Sequence, residues 1–347
     1  MAPVVAHSLE NLQPSVKALA DTGVKTVPSI YVKDETDRPK VPYNAFSKEI
    51  PVIDIAGLIG ERRSGIVADI GRACSEWGIF QIINHGVTKS LTERIRAEAF
   101  EFFAMPLEEK TVYAAKPGQF VGYANGSILT DEKYMDWREL ITLRCFPIGS
   151  RNEDQWPRKP ESFRGTLEEF SNSMLGLVRD LLGLISESLG QETQAVEKAC
   201  AEGEEKVVMN YYPTCPQPDL TLGVKRHKDP GCLTVLLQDQ VGGLQATKDD
   251  GLNWATVEPI EGALVVNLGD QLHAMSNGRY KSADHRAVVN STATRMSIVV
   301  FYNPSPDCVV APLPGLVDAN HPALFEPYVY QHRHVKRMRE HMEKSNA

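Results

Sequence analysis

The spacing of apolar residues along the chain changes near residue 206. Before that point several segments repeat apolar side chains every three or four positions, a spacing typical of amphipathic helices. After it, apolar and β-branched residues gather in short runs that favour strands. The predicted helices are 64–76, 89–103 and 161–190, and the predicted strands are 51–55, 78–84, 207–212, 232–239, 243–247, 254–259, 263–269, 285–290 and 295–302.

Turn signals separate the later runs from one another. Gly242-Gly243, Asp250-Gly251 and Asn277-Gly278 are dipeptides typical of hairpins. Seven strands at close spacing favour two packed sheets of the jelly-roll type. We therefore predict a mainly β protein with flanking helices (α+β), built on a double-stranded β-helix (jelly roll) core.

The same pattern divides the chain into four regions. Residues 1–45 form a proline-containing arm with a short helix expected at 8–21, residues 46–200 form helices and strands that pack on the core, residues 201–310 form the jelly roll, and residues 311–347 form a helical extension. A glycine- and proline-containing stretch, 116–158, is interpreted as a loop-rich lid or binding segment. The helix expected at 328–344 is a candidate cap for the pocket.

Composition narrows the classes of function. The 347 residues are 42% hydrophobic and 24% charged, which is typical of a globular protein. A formal net charge of −8 argues against nucleic acid as the main partner. The sequence shows neither a membrane-length apolar stretch nor an export signal, so we expect a cytoplasmic, monomeric protein with six reduced cysteines.

Two histidines and one aspartate form a candidate metal site. On a strand, side chains two apart share a face, so His227 and Asp229 can reach one metal ion, and His285 would come from a neighbouring strand. Two imidazoles and one carboxylate with open positions suit non-haem iron. Catalytic zinc uses a similar set, although the H-E-x-x-H pattern is absent here, and ordinary loop hydrogen bonding is the structural alternative for His227 and Asp229.

An arginine and a serine follow the last candidate ligand by about ten residues. Arg295 and Ser297 lie on the same face of a strand-like run. The planar guanidinium can take a carboxylate with two hydrogen bonds, and the hydroxyl adds another donor. The pair is therefore a candidate binding site for the far carboxylate of a 2-oxo acid. Together with the candidate metal ligands, it predicts oxygen-activating chemistry.

Seven segments in a fixed order resemble the plant 2-oxoglutarate- and iron(II)-dependent dioxygenases over roughly residues 40–330. The resemblance implies that iron is held by His227, Asp229 and His285, and that the C5 carboxylate of 2-oxoglutarate is held by Arg295 and Ser297. It also implies co-substrate contacts from Asn210 and Tyr212, dioxygen as second co-substrate, and ascorbate as reductant. The segments are PVIDI (51–55), WGIFQIINHGV (77–87), NYYPTCPQP (210–218), HKDPGCLTVLLQDQVGGLQ (227–245), NLGD (267–270), SNGRYKSADHRAVVN (276–290) and RMSIVVFYNP (295–304).

Within that family, two segments are similar to the flavonoid branch, which includes flavanone 3-hydroxylases and type I flavone synthases. They are DWRE (136–139) and QDQVGGLQAT (238–247). Lys228 departs from the usual Thr or Ser between the ligands, and LITL (140–143) differs from an aromatic-rich equivalent. The resemblance implies a flavanone substrate such as naringenin, and we favour C2–C3 desaturation to a flavone. Flavanone 3-hydroxylation, flavonol synthesis, a sibling activity on a hormone or phenolic acid, and a non-enzymatic binding protein are the alternatives.

The walls of the substrate pocket carry a second set of expectations. Phe301 shares the strand face of Arg295 and Ser297, so it can face the cavity and stack on an aromatic ring. A role in the jelly-roll core is the alternative for Phe301. The resemblance adds four further candidates for substrate contact, namely Tyr123, Arg138, Thr142 and Asn303.

Overall fold

The computed structural model describes residues 15–116, 119–126 and 134–332, and within them the chain forms fifteen strands and seven α-helices. The strands are Phe46–Ser47 (β1), Val52–Asp54 (β2), Ile79–Ile83 (β3), Gly122–Asn125 (β4), Glu139–Phe146 (β5), Glu204–Tyr212 (β6), Val224–His227 (β7), Leu233–Gln238 (β8), Leu244–Thr247 (β9), Ala255–Val257 (β10), Leu264–Leu268 (β11), Asp284–Ala287 (β12), Arg295–Asn303 (β13), Val309–Val310 (β14) and Tyr328–Val329 (β15). The helices are Val16–Asp21 (α1), Arg63–Glu76 (α2), Lys89–Ala104 (α3), Leu107–Thr111 (α4), Phe163–Ser188 (α5), Ala195–Ala199 (α6) and Asp270–Met275 (α7).

Thirteen of these strands form two sheets. The larger sheet has the order β2-β3-β11-β8-β13-β6-β5-β4, and the smaller one has the order β1-β10-β9-β12-β7. From β6 to β13 the chain passes repeatedly between the two sheets, which confirms the predicted jelly-roll core with flanking helices.

Alternation along β13 explains how the larger sheet serves two layers. Met296, Ile298 and Val300 belong to the core beneath the helices, whereas Val299 and Phe301 belong to the apolar layer shared with the smaller sheet. Because successive side chains on a strand point to opposite faces, one strand can anchor the helical layer and line the space between the sheets. Arg295 and Ser297 share the parity of Val299, so they are also directed between the sheets.

The long helix α5 covers the outer face of the larger sheet. It packs against α2, α3, β6, β8 and β13. Its apolar stripe is buried along nearly the whole length, as the helical spacing of the sequence predicts. The helix α3 begins where the Thr88 side chain accepts a hydrogen bond from the Leu91 amide, which satisfies one of the free amides of the first turn.

The turn between α2 and β3 requires glycine. Gly78 has a φ of +71°, and a Cβ atom on it would lie 2.4 Å from the carbonyl oxygen of Lys281. Both the backbone conformation and the close approach exclude a larger residue. This turn leads into β3, which pairs with β11 in the larger sheet.

The interpretation of 116–158 as a loop-rich lid is wrong for part of that stretch. Strands β4 and β5 lie within it and extend the larger sheet beyond β6. The polar residue Glu139 at the start of β5 weakens the apolar pattern, yet it is fully buried because the Lys110 ammonium lies 2.6 Å from its carboxylate. A partner distant in sequence therefore makes the strand possible.

The N-terminal arm is fixed to the rest of the chain by contacts with the start of β5. Tyr31 meets Trp137 edge to face at 5.2 Å, and the buried Lys33 ammonium lies 2.9 Å from Asp136. The helix expected at 8–21 is observed as α1 from Val16; its residues 8–14 lie outside the described part of the chain.

The C-terminal helix expected at 328–344 is largely untested, since residues 333–347 are not described and Tyr328–Val329 forms β15. The four predicted region boundaries stay predictions, although β2, β3, β4 and β5 show that residues 46–200 contribute strands to the larger sheet. In the described ranges, none of the helices combines the length and apolar character needed to span a bilayer.

Candidate active site

His227, Asp229 and His285 converge at one edge of the smaller sheet. Strand β7 ends at His227, and β12 runs antiparallel beside it with His285 directly opposite His227. One carboxylate oxygen of Asp229 lies 3.6 Å from His227 Nε2 and 3.7 Å from His285 Nε2. One donor atom from each of the three side chains lies within 4.8 Å of the others, a spacing suited to a single metal ion.

The element that carries Asp229 differs from the prediction. We expected His227 and Asp229 to share a strand face, but the strand ends at His227, and Asp229 lies in the loop that follows. The loop is held in place because the Asp229 carbonyl accepts a hydrogen bond from the Asp270 amide at 2.9 Å. Asp229 is 1% exposed, so its carboxylate is kept away from bulk water.

Backbone carbonyls orient both imidazole rings. His227 Nδ1 lies 2.9 Å from the Lys225 carbonyl oxygen, and His285 Nδ1 lies 3.1 Å from the Ala283 carbonyl oxygen. A carbonyl oxygen can only accept, so Nδ1 carries the hydrogen and donates, which leaves the Nε2 lone pair directed at the shared centre. Burial, followed by the neighbouring His285, lowers the pKa of His227 to about 4, so the ring is neutral at physiological pH and can bind a metal ion.

Arg295 is a buried cation that has no hydrogen-bond partner in the described part of the chain. It is 2% exposed, and none of its three guanidinium nitrogens has a hydrogen-bond partner among the residues that the structure describes. The Tyr212 ring lies beside it, with its centroid 4.9 Å from the guanidinium carbon. A buried, unpaired charge is strongly disfavoured, so this arrangement calls for an anionic ligand.

The residues opposite Arg295 and Ser297 complete a polar wall. Arg295 pairs across the sheet with Tyr212, and Ser297 pairs with Asn210. Arg138 Nη1 donates to the Asn210 side-chain oxygen at 2.7 Å, and the Asn210 nitrogen lies 3.4 Å from the Ser297 hydroxyl. Because a guanidinium is only a donor, it fixes which end of the Asn210 amide is the oxygen.

One cavity joins His227, Asp229 and His285, together called the metal cluster, to this polar wall. Its volume is about 480 Å³ including the open mouth. It is lined by the metal cluster, by the polar wall and by apolar side chains that include Val208, Leu236, Leu244, Val299 and Phe301. One cavity thus brings together candidate metal ligands, a buried cation suited to an anion, and apolar walls.

Comparison with known proteins decides the family. Residues 203–304 match the 2OG-Fe(II) oxygenase superfamily, and residues 50–159 match the non-haem dioxygenase in morphine synthesis N-terminal family. A naringenin,2-oxoglutarate 3-dioxygenase of Callistephus chinensis is 49% identical over 308 residues, which are 89% of this chain and 86% of the relative.

The chain belongs to the 2-oxoglutarate- and iron(II)-dependent oxygenases. A flavone synthase of Petroselinum crispum is 48% identical, with 92% of this oxygenase and 88% of the relative covered. The crystal structure of JOX2 in complex with 2OG, Fe and JA superimposes with a TM-score of 0.85 and 35% identity, covering 94% of this chain and 93% of that one. The predicted class, a non-haem iron dioxygenase, is confirmed.

The donor set of the oxygenase fits the two groups that its family uses. Two imidazoles and a carboxylate that line one cavity suit iron(II) and leave positions for further ligands. Among the described residues, Asp229 Oδ2 and the three guanidinium nitrogens of Arg295 have no hydrogen-bond partner, which suits a cation beside the first and an anion beside the second.

The structure separates the predicted pocket residues of the oxygenase into two groups. Arg138 and Phe301 line the cavity, whereas Tyr123, Thr142 and Asn303 do not belong to its lining. Tyr123 packs on Phe102 beneath the helices. Asn303 lies on the same strand face as Phe301 but beyond the cavity. Its side-chain oxygen lies 2.1 Å from the position that a Cβ atom would take on Gly231.

The sequence analysis did not identify several of the residues that line the cavity. Thr234, Leu236, Leu244, Asn267 and Val299 all face the cavity. Asn267 stands within the NLGD segment, so the family resemblance drew attention to its position without giving it a role. The apolar residues among them carried no signal, because a cavity wall and a packed core have the same composition.

Proposed function

We propose that this oxygenase oxidises a neutral flavanone, such as naringenin, at its C2–C3 bond and releases a flavone. The proposal combines the flavonoid activities named for its relatives with the chemistry of the cavity wall. We place iron(II) on His227, Asp229 and His285, and the C5 carboxylate of 2-oxoglutarate on Arg295 and Ser297. We also expect a cytosolic monomer that uses dioxygen, with ascorbate as reductant.

The proposal of a neutral substrate rests on the contacts that the arginines of the cavity make with protein groups. Among the described residues of the lining, the cations are Arg138, Arg286 and Arg295. Arg138 is committed to Asn210, and its Nη2 lies 3.8 Å from the Asp136 carboxylate. With Arg295 assigned to 2-oxoglutarate, only Arg286 remains to be considered.

Protein groups also engage the Nε atom and one face of the Arg286 guanidinium. Its Nε donates to the Gln245 side chain at 2.9 Å, and its guanidinium carbon lies 4.0 Å from the Trp254 ring. A hormone or phenolic acid would bring a second carboxylate into the cavity, and that charge would require a second available cation. The lining therefore favours a substrate without a charge.

The residues of this chain divide the work of the reaction. When bound, iron(II) and 2-oxoglutarate supply the activation of dioxygen that allows hydrogen to be removed from an unreactive carbon. The Nδ1 hydrogen bonds of His227 and His285 keep both Nε2 atoms directed at the metal position. Arg295 and Ser297 fix the co-substrate at the opposite end, and the apolar walls exclude water from the reacting groups.

Flavanone 3-hydroxylation is the second candidate, because relatives named naringenin,2-oxoglutarate 3-dioxygenase are as similar as the flavone synthase. Lys228 is exposed and does not line the cavity, so this departure from the family pattern does not discriminate between the outcomes. Both outcomes begin with removal of hydrogen from the same region of the substrate.

Product analysis tests the proposal. The purified protein is incubated with naringenin, iron(II), ascorbate and 2-oxoglutarate, and the products are separated by liquid chromatography and mass spectrometry. We expect a product two mass units lighter than naringenin, together with stoichiometric succinate. A product sixteen units heavier would establish hydroxylation, and the absence of flavanone-stimulated succinate release would refute the proposed substrate.

A further inference from the structure

Asn267 is another buried polar side chain that faces the cavity and lacks a hydrogen-bond partner among the described residues. It lies on β11, is 1% exposed and lines the cavity. Neither atom of its side-chain amide has a hydrogen-bond partner within the described ranges of the chain. Buried amides are nearly always hydrogen-bonded, and those without a protein partner are satisfied by ordered water or by a ligand.

The register of the larger sheet places Asn267 at the end of the cavity that carries Phe301. Asn267 pairs with Thr234 on β8, and Thr234 pairs with Phe301 on β13. Ser297 lies four residues before Phe301, which corresponds to about 13 Å along the strand. The amide is therefore remote from the Arg295 and Ser297 end, where we place the far carboxylate of 2-oxoglutarate.

The same strand lies against the loop that carries Asp229. A Cβ atom on Gly269 would lie 3.0 Å from the Asp229 carbonyl oxygen, and the Asp270 amide donates to that oxygen. Asn267 lies two residues before Gly269, and it lines the same cavity as the metal cluster. A molecule bound in this cavity for oxidation at the metal position is therefore within the space that Asn267 faces.

We propose that the Asn267 amide is a substrate-recognition group that donates a hydrogen bond to a carbonyl or phenolic oxygen of the aromatic substrate. Phe301, on the same row of the sheet, would meet an aromatic ring of that substrate. An amide is neutral and offers both a donor and an acceptor, which matches an uncharged molecule that carries a ketone and hydroxyls. The inference rests on the proposed function and assigns to it a residue that selects the substrate.

Binding without turnover tests this role. Wild type, Asn267→Leu and Asn267→Ala are loaded with cobalt(II) in place of iron, and the affinities for 2-oxoglutarate and then for naringenin are measured by calorimetry. We expect the two variants to bind naringenin about 10-fold more weakly or worse, and 2-oxoglutarate within about 2-fold of wild type, since one buried hydrogen bond is lost. Using two variants guards against one that fails to fold.

Thermal unfolding of the ligand-free proteins separates recognition from structural support. Removing an unpaired amide should leave the midpoint of Asn267→Leu unchanged or higher, whereas a supporting role would lower it. Gln81→Leu is the matched control, because Gln81 lies on the adjacent strand, is buried with an unpartnered amide oxygen in the described structure, and does not line the cavity. This control should bind naringenin as tightly as wild type.

Each other outcome overturns the inference. Unchanged naringenin affinity in either folded variant removes the recognition role, and a selective loss of 2-oxoglutarate affinity would move Asn267 to the co-substrate site. A loss of cobalt affinity would make it a support for Asp229. If wild type binds 2-oxoglutarate but no flavanone, the proposed substrate fails first, and the role of Asn267 fails with it.

Discussion

His227 and His285 lie directly opposite each other on antiparallel strands, with ring centroids 4.2 Å apart. Burial, followed by the neighbouring His285, lowers the pKa of His227 and so favours the neutral ring, which is the form that binds a metal ion. The two Nε2 atoms and the Asp229 carboxylate would serve as the ligands of a divalent cation. The pairing of β7 with β12 is therefore the structural basis of the proposed metal site.

Replacing His285 tests that relationship. His285→Ala should weaken metal binding by about 100-fold or more, since even the loss of a group that only supports a ligand costs 10- to 100-fold. Metal content after anaerobic iron(II) loading and desalting, measured by plasma mass spectrometry, provides the readout. His321→Ala, an exposed histidine outside the cluster, is the control and should retain the metal. Equal metal content in the two variants would contradict the assignment.

Arg295 should limit stability in the absence of ligands. Replacing it by Met removes a buried cation that lacks a hydrogen-bond partner in the described chain, so we expect Arg295→Met to raise the free energy of unfolding by about 1–3 kcal/mol. The same variant should lose 2-oxoglutarate binding. Urea unfolding of the ligand-free proteins and anaerobic titration of the charge-transfer absorption measure the two effects. A less stable variant would show that the protein already satisfies the guanidinium.

The candidate metal ligands and the candidate carboxylate-binding pair, Arg295 and Ser297, were the parts of the site most accessible to sequence analysis. His227 and Asp229 stand out as an imidazole and a carboxylate two positions apart, Arg295 stands out at the start of a strand-like run, and alternation predicts which of these residues share a face. The alternation argument succeeded along β13 and failed after His227, where the strand ends. Strand ends depend on which neighbours continue the sheet, and that information is not local.

The pocket walls were less accessible for a different reason. Arg138 reaches the cavity because its segment runs beside the strand that carries Asn210, 72 positions away. Asn267 is a single polar residue in an apolar strand, and such a residue is equally compatible with a satisfied core position. Its lack of a partner becomes visible only when the surrounding side chains are placed in three dimensions.

Phe301 should determine how tightly an aromatic substrate is held. Phe301→Leu should raise the KM for naringenin by roughly 2- to 10-fold, because ring-to-ring contacts add about 0.5–1.5 kcal/mol beyond apolar burial. The affinity for 2-oxoglutarate should not change. Steady-state kinetics with each substrate varied in turn separate the effects, and Phe146→Leu, outside the cavity lining, is the control. Equal effects on both substrates would indicate general damage to the sheet.

The buried pair of Lys110 and Glu139 should be costly to break from one side. Their charged atoms lie 2.6 Å apart, and both side chains are almost fully buried. Lys110→Met leaves the carboxylate uncompensated and should reduce the free energy of unfolding by about 3–5 kcal/mol. The exposed pair of Lys159 and Glu109 offers a control, since solvent screens this pair and Lys159→Met should cost far less stability than Lys110→Met.

The double variant completes that test by urea unfolding. Lys110→Met with Glu139→Gln removes both charges, so we expect it to be more stable than the sum of the two single effects predicts. Additive losses would mean that the two groups do not stabilise each other.

Glu205 should make the stability of the protein depend on pH. It is fully buried on β6, it accepts a hydrogen bond from the Ser171 hydroxyl, and burial raises its pKa from 4.5 to about 7. Below pH 4.5 the carboxyl is protonated in both the folded and the unfolded chain. Between pH 4.5 and about 7 the unfolded chain releases the proton while the folded chain keeps it, so the contribution of this group to stability falls as the pH rises.

Above pH 7 that loss is complete, and a pKa difference of about 2.5 corresponds to about 3 kcal/mol. Glu205→Gln cannot ionise, so the variant should gain stability relative to wild type as the pH rises from 4.5 to 7, with a constant difference beyond. Urea unfolding from pH 4.5 to 8 measures the difference, with the exposed Glu192→Gln as control. A difference that does not change with pH would place the pKa of Glu205 near its ordinary value and show that water or a cation reaches it.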